Sequence, residues 1–436
     1  MPSQGPIVPI YDGLSHSVQA TPRFSNYLPD ELLLEILNYI PKEPKSQGIL
    51  AKFCLISRQW YDVGIRRLYE SPHIAGRGYE LFVRTVCPSI NLHVRKSELA
   101  GLVKVLDLSY IIHHGNKATT ARLLGRTKSS LEVFIAPQAS FAVNCWASLS
   151  KCTHLKVLDL TLISESISYQ ALNQTCRQLH ELTHLYFPRC SSDYNAMGLG
   201  NEIRWPPRLE HLGLAGNVHG KFLWDMLEAP HGFPPSLSSL CISHAPSVDS
   251  SSLRPLLNNL ASMLKHVELR DLRSVRQGKL NNILHWLPHL ERLTIATDYI
   301  DIAFGNMPEA FPSTPDPWKY SKPLQYLKLV NSGSYDTDPH MAFSPVDLFT
   351  LIDERFLGRL RVIEPAQSLN WHLDDDGAQI EVLETLMIDL DRENWSQRRW
   401  EYAGMRVREG MTYEQWCVGT GIGRKMRPRL RVLKDQ

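Results

Sequence analysis

The strongest constraint on the fold is a short leucine pattern that recurs from residue 103 onward. A copy generally has large apolar residues at its first, fourth and sixth positions, as in LKVLDL at 155 and LERLTI at 290. Copies begin at residues 103, 131, 155, 182, 209, 237, 264, 290, 324, 360 and 383, and six of the ten spacings are 26 to 28 residues. Such a period predicts a repeat architecture, because one unit is too short to bury a core by itself.

Each copy has the alternation of a β-strand. The fourth and sixth positions are apolar and the third and fifth are polar or mixed, so one face of the strand is buried and the other is wet. Helical patterns lie between the strands, for example at residues 251–261, 280–287 and 347–357. We therefore predict an α/β leucine-rich-repeat solenoid over residues 103–390, with a curved parallel sheet on the concave face and helices outside. A doubly wound sheet is the alternative, but its strands would be longer and lack the constant leucine register.

The array departs from an ideal repeat in three places. The long spacings hold segments rich in Pro and Asp, 298–323 and 331–347, which are expected to be inserted loops. After residue 390 the register fades, and the basic, aromatic segment 391–436 is predicted to cap the array. Within that segment GTGIGRK at 419–425 is predicted to be a loop, and LRVL at 430–433 is a candidate closing strand.

A short helix near the start of the chain carries apolar residues around most of its circumference. In YLPDELLLEILNYIP, residues 27–41, Pro29 and the two acidic residues after it favour a helix start, and Pro41 ends the helix. Its apolar residues cover roughly two thirds of the circumference, more than the stripe that a surface helix buries. Residues 24–74 are therefore predicted to form a small three-helix domain whose second apolar side a partner covers. The alternative is a cap on the N-terminal end of the solenoid.

This segment resembles the F-box. The resemblance covers about 50 residues and rests on Leu28–Pro29, Glu31–Leu32, Ile36–Leu37, Leu55, Ser57–Arg58, Trp60 and Leu68–Tyr69. Ser46–Gln47–Gly48 departs from it, because related sequences often place an aspartate there. The resemblance implies binding to a Skp-type adaptor and, through it, to a cullin in a ubiquitin ligase complex of the SCF kind. The residues expected to contact the adaptor are Leu28, Pro29, Leu32, Ile36, Leu37, Ile40 and Leu55.

Composition narrows the class of protein further. The chain has 436 residues, 43% hydrophobic and 21% charged, with a net charge of +2, which is typical of a soluble globular protein. Membrane insertion and secretion are not expected, because there is no long apolar run and no signal-peptide pattern. The eight scattered cysteines favour a reducing compartment, cytoplasmic or nuclear. Residues 1–23 are expected to be a disordered lead-in, and 75–102 a linker with N-terminal cap helices.

No pattern indicates a catalytic centre, a cofactor or a metal site. His113–His114, His184, His211, His266 and His289 lack neighbouring carboxylates or thiols at ligand spacing, so they are expected to make surface contacts. Nucleic acid is not an expected partner of the whole chain. The surplus of basic residues in 391–436, eleven Lys and Arg against six Asp and Glu, keeps an RNA-binding solenoid open as an alternative.

The third and fifth positions of the repeats predict a substrate-binding surface, because they point away from the buried leucines. The candidate residues at these positions are His184, Tyr186, His211, His266, Glu268, Arg292, Tyr326 and Lys328, and Arg270 follows at a seventh position on the same face. Aromatic and arginine residues are frequent at binding hot spots, and a mostly cationic strip favours an acidic or phosphorylated segment. An ordinary hydrated sheet face is the alternative. The predicted function is a non-catalytic substrate-recognition subunit of a ubiquitin ligase; a leucine-rich-repeat scaffold without ubiquitin chemistry is the other possibility.

Overall fold

The structure is a computed structural model that describes residues 28–89, 97–111, 117–163, 167–189, 204–216, 218–228, 232–307, 317–333, 337–371, 375–401, 410–419 and 421–434. The predicted lead-in and His113–His114 lie outside these ranges. The chain divides into two compact units, residues 1–68 and 69–436, which are described separately. In the part of the chain that the structure describes, no helix is both long enough and apolar enough to span a membrane.

The described residues of the first unit, 28–68, contain three helices: α1 Asp30–Tyr39, α2 Gln47–Cys54 and α3 Arg58–Glu70, whose last two residues belong to the second unit. Pro29 precedes α1, and its carbonyl oxygen accepts hydrogen bonds from the backbone N–H groups of Leu32 and Leu33. A short 3₁₀ turn, Pro44–Ser46, leads directly into α2 in place of a side-chain cap. Helix α1 therefore begins directly after Pro29 and ends before Pro41, as these two prolines predict.

The core of the first unit is small. Leu33 and Leu37 of α1 pack with Leu50 and Phe53 of α2, and half-buried residues surround them: Leu28, Ile40, Trp60, Val63 and Leu68. Helices α2 and α3 approach closely at Gly64, where a Cβ atom would lie 2.7 Å from Cδ1 of Phe53. Gln59 ties α3 to the start of α1, because its side-chain amide donates to the Leu28 carbonyl and to the Asp30 carboxylate, both at 2.8 Å.

Within the described ranges, the second unit is built on one parallel sheet of eleven strands, each paired with the next in the sequence. The strands are β1 Val105–Asp107, β2 Val133–Ile135, β3 Val157–Asp159, β4 His184–Tyr186, β5 His211–Leu214, β6 Ser239–Ser243, β7 His266–Arg270, β8 Arg292–Ala296, β9 Tyr326–Val330, β10 Val362–Pro365 and β11 Arg429–Leu430. The helices are α4 Arg77–Val86, α5 Lys117–Thr127, α6 Val143–Leu149, α7 Tyr169–Cys176, α8 Gly220–Glu228, α9 Ser250–Asn259, α10 Ile283–Trp286, α11 Pro317–Tyr320, α12 Pro345–Asp353, α13 Asp375–Glu393, α14 Trp395–Glu401, α15 Tyr413–Gly419 and α16 Gly421–Met426. The predicted fold class is confirmed.

The leucine pattern sets the register of the sheet. Fourth-position residues of neighbouring repeats pair directly, as in Leu185 with Leu212 and Leu212 with Leu240, and these side chains are buried. One continuous apolar core runs from Ile74 to Leu390. Third positions pair in the same way, so His184, His211 and Ser239 stand side by side on neighbouring strands.

The copy of the pattern at residue 383 does not form a strand, so that prediction is wrong. It lies inside α13, where Leu383, Met387 and Leu390 are buried at the spacing of one helix face. The sheet instead closes with β11, which pairs with β10, and with a bridge between Ala366 and Leu433. The predicted closing strand at 430–433 is therefore found in part, as the two-residue strand Arg429–Leu430 and the bridge at Leu433. The predicted loop at 419–425 is wrong, because α15 ends at Gly419 and α16 begins at Gly421.

A buried cluster of charges attaches the C-terminal helices to the sheet. The Asp391 carboxylate lies 2.8 Å from Nε of Arg398 and 3.7 Å from Nη2 of Arg361, and all three residues are almost completely buried. The Arg398 guanidinium also lies over the ring of Trp318, 4.5 Å from its centroid. One carboxylate thus joins α13, α14 and the start of β10.

Replacing Asp391 by alanine should destabilise the C-terminal end of the array. The change leaves two buried arginines without their common counter-ion, and breaking a buried pair costs about 3–5 kcal/mol. Asp389→Ala is the matched control, because Asp389 pairs with Arg392 at the surface and an exposed pair is worth about 0–1 kcal/mol. Thermal unfolding and hydrogen exchange of β10 and β11 measure the effect. Equal stability of the two variants would contradict it.

Trp60 is predicted to hold the first unit together. Its ring packs on Phe53 with centroids 4.5 Å apart. Removing a fully buried aromatic side chain costs about 3–5 kcal/mol, and a substantial part of that cost is expected for the half-buried Trp60. Trp60→Ala should therefore speed hydrogen exchange throughout residues 28–68, whereas Tyr61→Ala, at an exposed neighbouring position, should not. Unchanged exchange in Trp60→Ala would show that this ring is dispensable for the core.

Candidate functional site

The first unit exposes more large apolar side chains than it buries. Between residues 28 and 68, eight are exposed, against four in the core cluster. The exposed residues are Leu32, Leu34, Ile36, Tyr39, Ile49, Leu55, Ile56 and Tyr61. We call this set the helical patch. Leu55 is 84% exposed at the end of α2, which leaves most of an apolar side chain in water. Exposed apolar side chains in this number are typical of a protein interaction site.

Helix α1 presents two different apolar faces. Leu33 and Leu37, four residues apart, form the buried face. Leu32, Ile36 and Tyr39 follow at helical spacing on the exposed face. The sequence showed that the helix has too much apolar surface for one core, and the structure shows which side remains available.

The predicted adaptor contacts are distributed unevenly. Pro29, Leu32, Ile36 and Leu55 are exposed, whereas Leu28 and Ile40 are half-buried at the edge of the core. Leu37 is only 3% exposed, so its assignment to the interface is wrong: its side chain is part of the core and cannot contact a partner. The prediction also omitted five residues of the helical patch: Leu34, Tyr39, Ile49, Ile56 and Tyr61.

The second candidate surface is the face of the sheet formed by third- and fifth-position side chains, which we call the open face. All nine predicted substrate contacts lie there, on strands β4 to β9. At its centre the rings of His184 and His211 stack with centroids 5.6 Å apart, and the Tyr186 ring lies 4.7 Å from His211. Gly213 makes this arrangement possible, because a Cβ atom there would lie 2.7 Å from Cδ1 of Tyr186.

His211 is held in its neutral form. Its Nδ1 lies 2.7 Å from Oγ of Ser239, and among the described residues its buried Nε2 has no hydrogen-bond partner. Burial, with smaller contributions from His184 and His266, lowers the pKa of His211 to about 4. Burial also lowers the pKa of His266, helped by the nearby charge of Arg292. His211 and His266 are therefore uncharged near neutral pH, and the centre of the open face is aromatic.

The charged residues of the open face have distinct neighbours. Nε of Arg270 lies 2.8 Å from the Glu268 carboxylate, so these two predicted contacts largely neutralise each other. The Arg292 guanidinium lies over the Tyr326 ring, 4.1 Å from its centroid. The Tyr326 hydroxyl donates to the Glu364 carboxylate on the next strand, and burial together with this carboxylate raises the pKa of Tyr326.

The composition of the open face changes along the sheet. Third positions are Val105, Val133 and Val157 on the first three strands, His184, His211, Ser239 and His266 at the centre, and Arg292, Tyr326 and Val362 toward the end. Residues at this position are therefore aliphatic on β1 to β3 and mostly aromatic or cationic on β4 to β9. Among the described residues, no three His, Cys, Asp or Glu side chains are grouped so that they could hold a metal ion.

Residues 26–69 match the F-box domain model, so the chain is a leucine-rich-repeat protein with an F-box domain at these residues. It is similar to F-box protein YDR306C of Saccharomyces cerevisiae, with 29% identity over 392 residues, covering 85% of this chain and 76% of that protein. It is also similar to protein pof5 of Schizosaccharomyces pombe, with 25% identity over 360 residues, covering 82% and 94%. Among solved structures, the leucine-rich-repeat protein LegL7 of Legionella pneumophila aligns with a TM-score of 0.36 and 15% identity, covering 66% of this chain and 81% of that one.

The F-box domain supports the general role of a substrate adaptor of the SCF type and implies binding to a Skp-type adaptor. F-box proteins are generally non-catalytic. This agrees with the two surfaces found here, one apolar and helical and the other a sheet face, which are suited to binding.

The buried His211 should make the stability of the sheet depend on pH. Its folded-state pKa of about 4 lies below the ordinary histidine value, so the unfolded chain binds a proton first as the pH falls. The stabilisation is full above pH ~6.5 and is lost progressively toward pH ~4, by about 2–3 kcal/mol in total.

Denaturant unfolding between these pH values measures the effect. The loss on acidification should be smaller in His211→Asn than in the unmodified chain, whereas His289→Asn, at an exposed position, should behave like the unmodified chain. Identical pH dependence in all three would show that His211 is not the responsible group.

Proposed function

We propose that this protein is the substrate-recognition subunit of a cullin-type ubiquitin ligase. It binds a Skp-type adaptor through the helical patch and a protein substrate through the open face. The observation that supports this most strongly is the F-box domain itself, in which exposed large apolar side chains outnumber those of the core. A unit of this kind gains stability when a partner removes that surface from water.

The adaptor is expected to contact the exposed side of α1 and the end of α2. Leu32, Ile36 and Tyr39 supply the first contact area, and Leu55 and Ile56 supply the second. Fully burying a large apolar side chain is worth about 1.5–3 kcal/mol. Side chains that are already half-buried contribute less, so the interface needs several of them together.

The open face is the proposed substrate surface. Its aromatic centre and the arginine held over Tyr326 are the residue types that contribute most to protein interfaces. Associated subunits carry out ubiquitin transfer, and the role of this chain is to bring the substrate to them. The open face needs no catalytic group for that role.

The proposed compartment is the cytoplasm or nucleus. All seven described cysteines are unpaired and buried, which suits a reducing environment. A scaffold without ubiquitin chemistry would share the open face but would not need the helical patch. Co-purification with the Skp-type adaptor, followed by substrate ubiquitination in the assembled complex, separates the two functions.

Leu32→Ala combined with Ile36→Ala should weaken adaptor binding at least about tenfold, because two partly exposed side chains lose their apolar contact with the partner. Calorimetry with the purified adaptor measures the dissociation constant. Leu81→Ala is the matched control, since Leu81 is a comparably exposed leucine on a helix of the second unit. Circular dichroism should show both proteins folded. Unaltered affinity in the double variant would refute the proposed interface.

A further inference from the structure

A cation-lined cleft lies where the end of the open face meets α16 and β11. Arg292 and Tyr326 form one side, and Lys425 and Arg429 form the other, with His266 and Glu291 also on the wall. Lys425 and Arg429 belong to the C-terminal segment 391–436, so the cleft combines residues of the open face with residues from outside the predicted substrate surface. The cleft unites residues that are more than 130 positions apart, between Arg292 and Arg429.

The positive charge in this cleft is not neutralised internally. Within the described ranges, Arg292, Lys425 and Arg429 have no carboxylate within ion-pairing distance of 4.0 Å. Glu291 is the acid among the lining residues, and its carboxylate lies 3.2 Å from Nζ of Lys265. Three cations that share a cleft repel one another, and a bound anion relieves this repulsion.

Two of the cations are held in place before any ligand arrives. Arg292 rests on the Tyr326 ring, and the Tyr326 hydroxyl is fixed by the Glu364 carboxylate. The Arg429 guanidinium donates to the Lys425 carbonyl oxygen at 3.0 Å, while its buried Nε has no partner in the described structure. Preorganised guanidinium groups match the planar geometry of carboxylates and lose little entropy on binding.

We propose that this cleft binds an acidic segment of the protein substrate, in which aspartate and glutamate carboxylates meet Arg292, Lys425 and Arg429. The proposal rests on the proposed function as a substrate receptor and adds the chemical class of the segment recognised. It also predicts how the bound segment is oriented along the sheet, with its acidic part at β8 to β11.

The other end of the open face favours a peptide over a nucleic acid. Asp107 and Asp159 place carboxylates at the fifth positions of β1 and β3, and both accept hydrogen bonds from the turns that follow. Valines occupy the third positions beside them. Strands are about 4.8 Å apart, so β3 lies on the order of 25 Å from β8. A long polyanion would meet repulsion there, whereas a peptide can be acidic at one end and apolar at the other.

The test uses the full chain and a fluorescent peptide rich in aspartate and glutamate, with an asparagine–glutamine peptide of the same length as comparison. Arg292→Glu combined with Lys425→Glu should weaken binding of the acidic peptide on the order of tenfold or more. The milder Lys425→Gln should weaken it less. Arg276→Glu combined with Lys279→Glu changes the charge equally at exposed positions outside the cleft and should leave affinity unchanged.

If the control pair weakens binding as much as the cleft pair, binding depends only on net charge and the proposal is overturned. If the asparagine–glutamine peptide binds as tightly as the acidic peptide, the cleft does not recognise carboxylates, and the proposal is overturned as well. The proposal is also overturned if single-stranded RNA binds more tightly than the acidic peptide and the cleft variants abolish RNA binding, because the cleft would then be a nucleic-acid site. Capture of the Skp-type adaptor by the same preparations reports on the proposed function separately. Adaptor capture without acidic-peptide binding refutes only the cleft, and peptide binding without adaptor capture refutes only the ligase role.

Discussion

The second unit depends on one constraint: no repeat can bury its own leucines. The fourth-position side chain of each strand is covered by the strands on either side, as Leu212 is between Leu185 and Leu240. Each pairing therefore stabilises two repeats at once, and the sheet is stable only as an array. At the two ends of such an array, the apolar side chains must be covered by elements other than a neighbouring repeat. At the C-terminal end the cover comes from α13 and α14, fixed to the sheet by the shared carboxylate of Asp391.

The leucine register made most of the sheet predictable. It located β1 to β10 and their facing side chains, because the alternation of a strand and the period of the repeat agree at each of those positions. At residue 383 the repeat pattern predicts a strand, but the chain forms a helix. Leucine spacing there satisfies both the repeat pattern and one face of a helix, and only the packing of Leu383, Met387 and Leu390 against the core decides between them.

The candidate surfaces were predictable in kind but not in detail. An apolar pattern around most of α1 predicted two apolar faces, yet it could not show that Leu37 faces inward and Tyr39 outward. That choice follows from tertiary contacts such as those of Gln59 with Leu28 and Asp30. Likewise the repeat pattern placed Arg292 on the open face, but Lys425 and Arg429 reach the same cleft only through the closing strand.

The order of strands in the sheet is the order of strands in the chain, and this has a consequence for how the protein is made. Because each strand pairs with the one before it, contacts are local in sequence and folding can follow synthesis from the N-terminus. The cleft is the exception. It requires α16 and β11, so it can form only after the chain has been synthesised as far as Leu430. A nascent or C-terminally truncated chain can carry a complete F-box domain and most of the sheet while it still lacks this part of the open face.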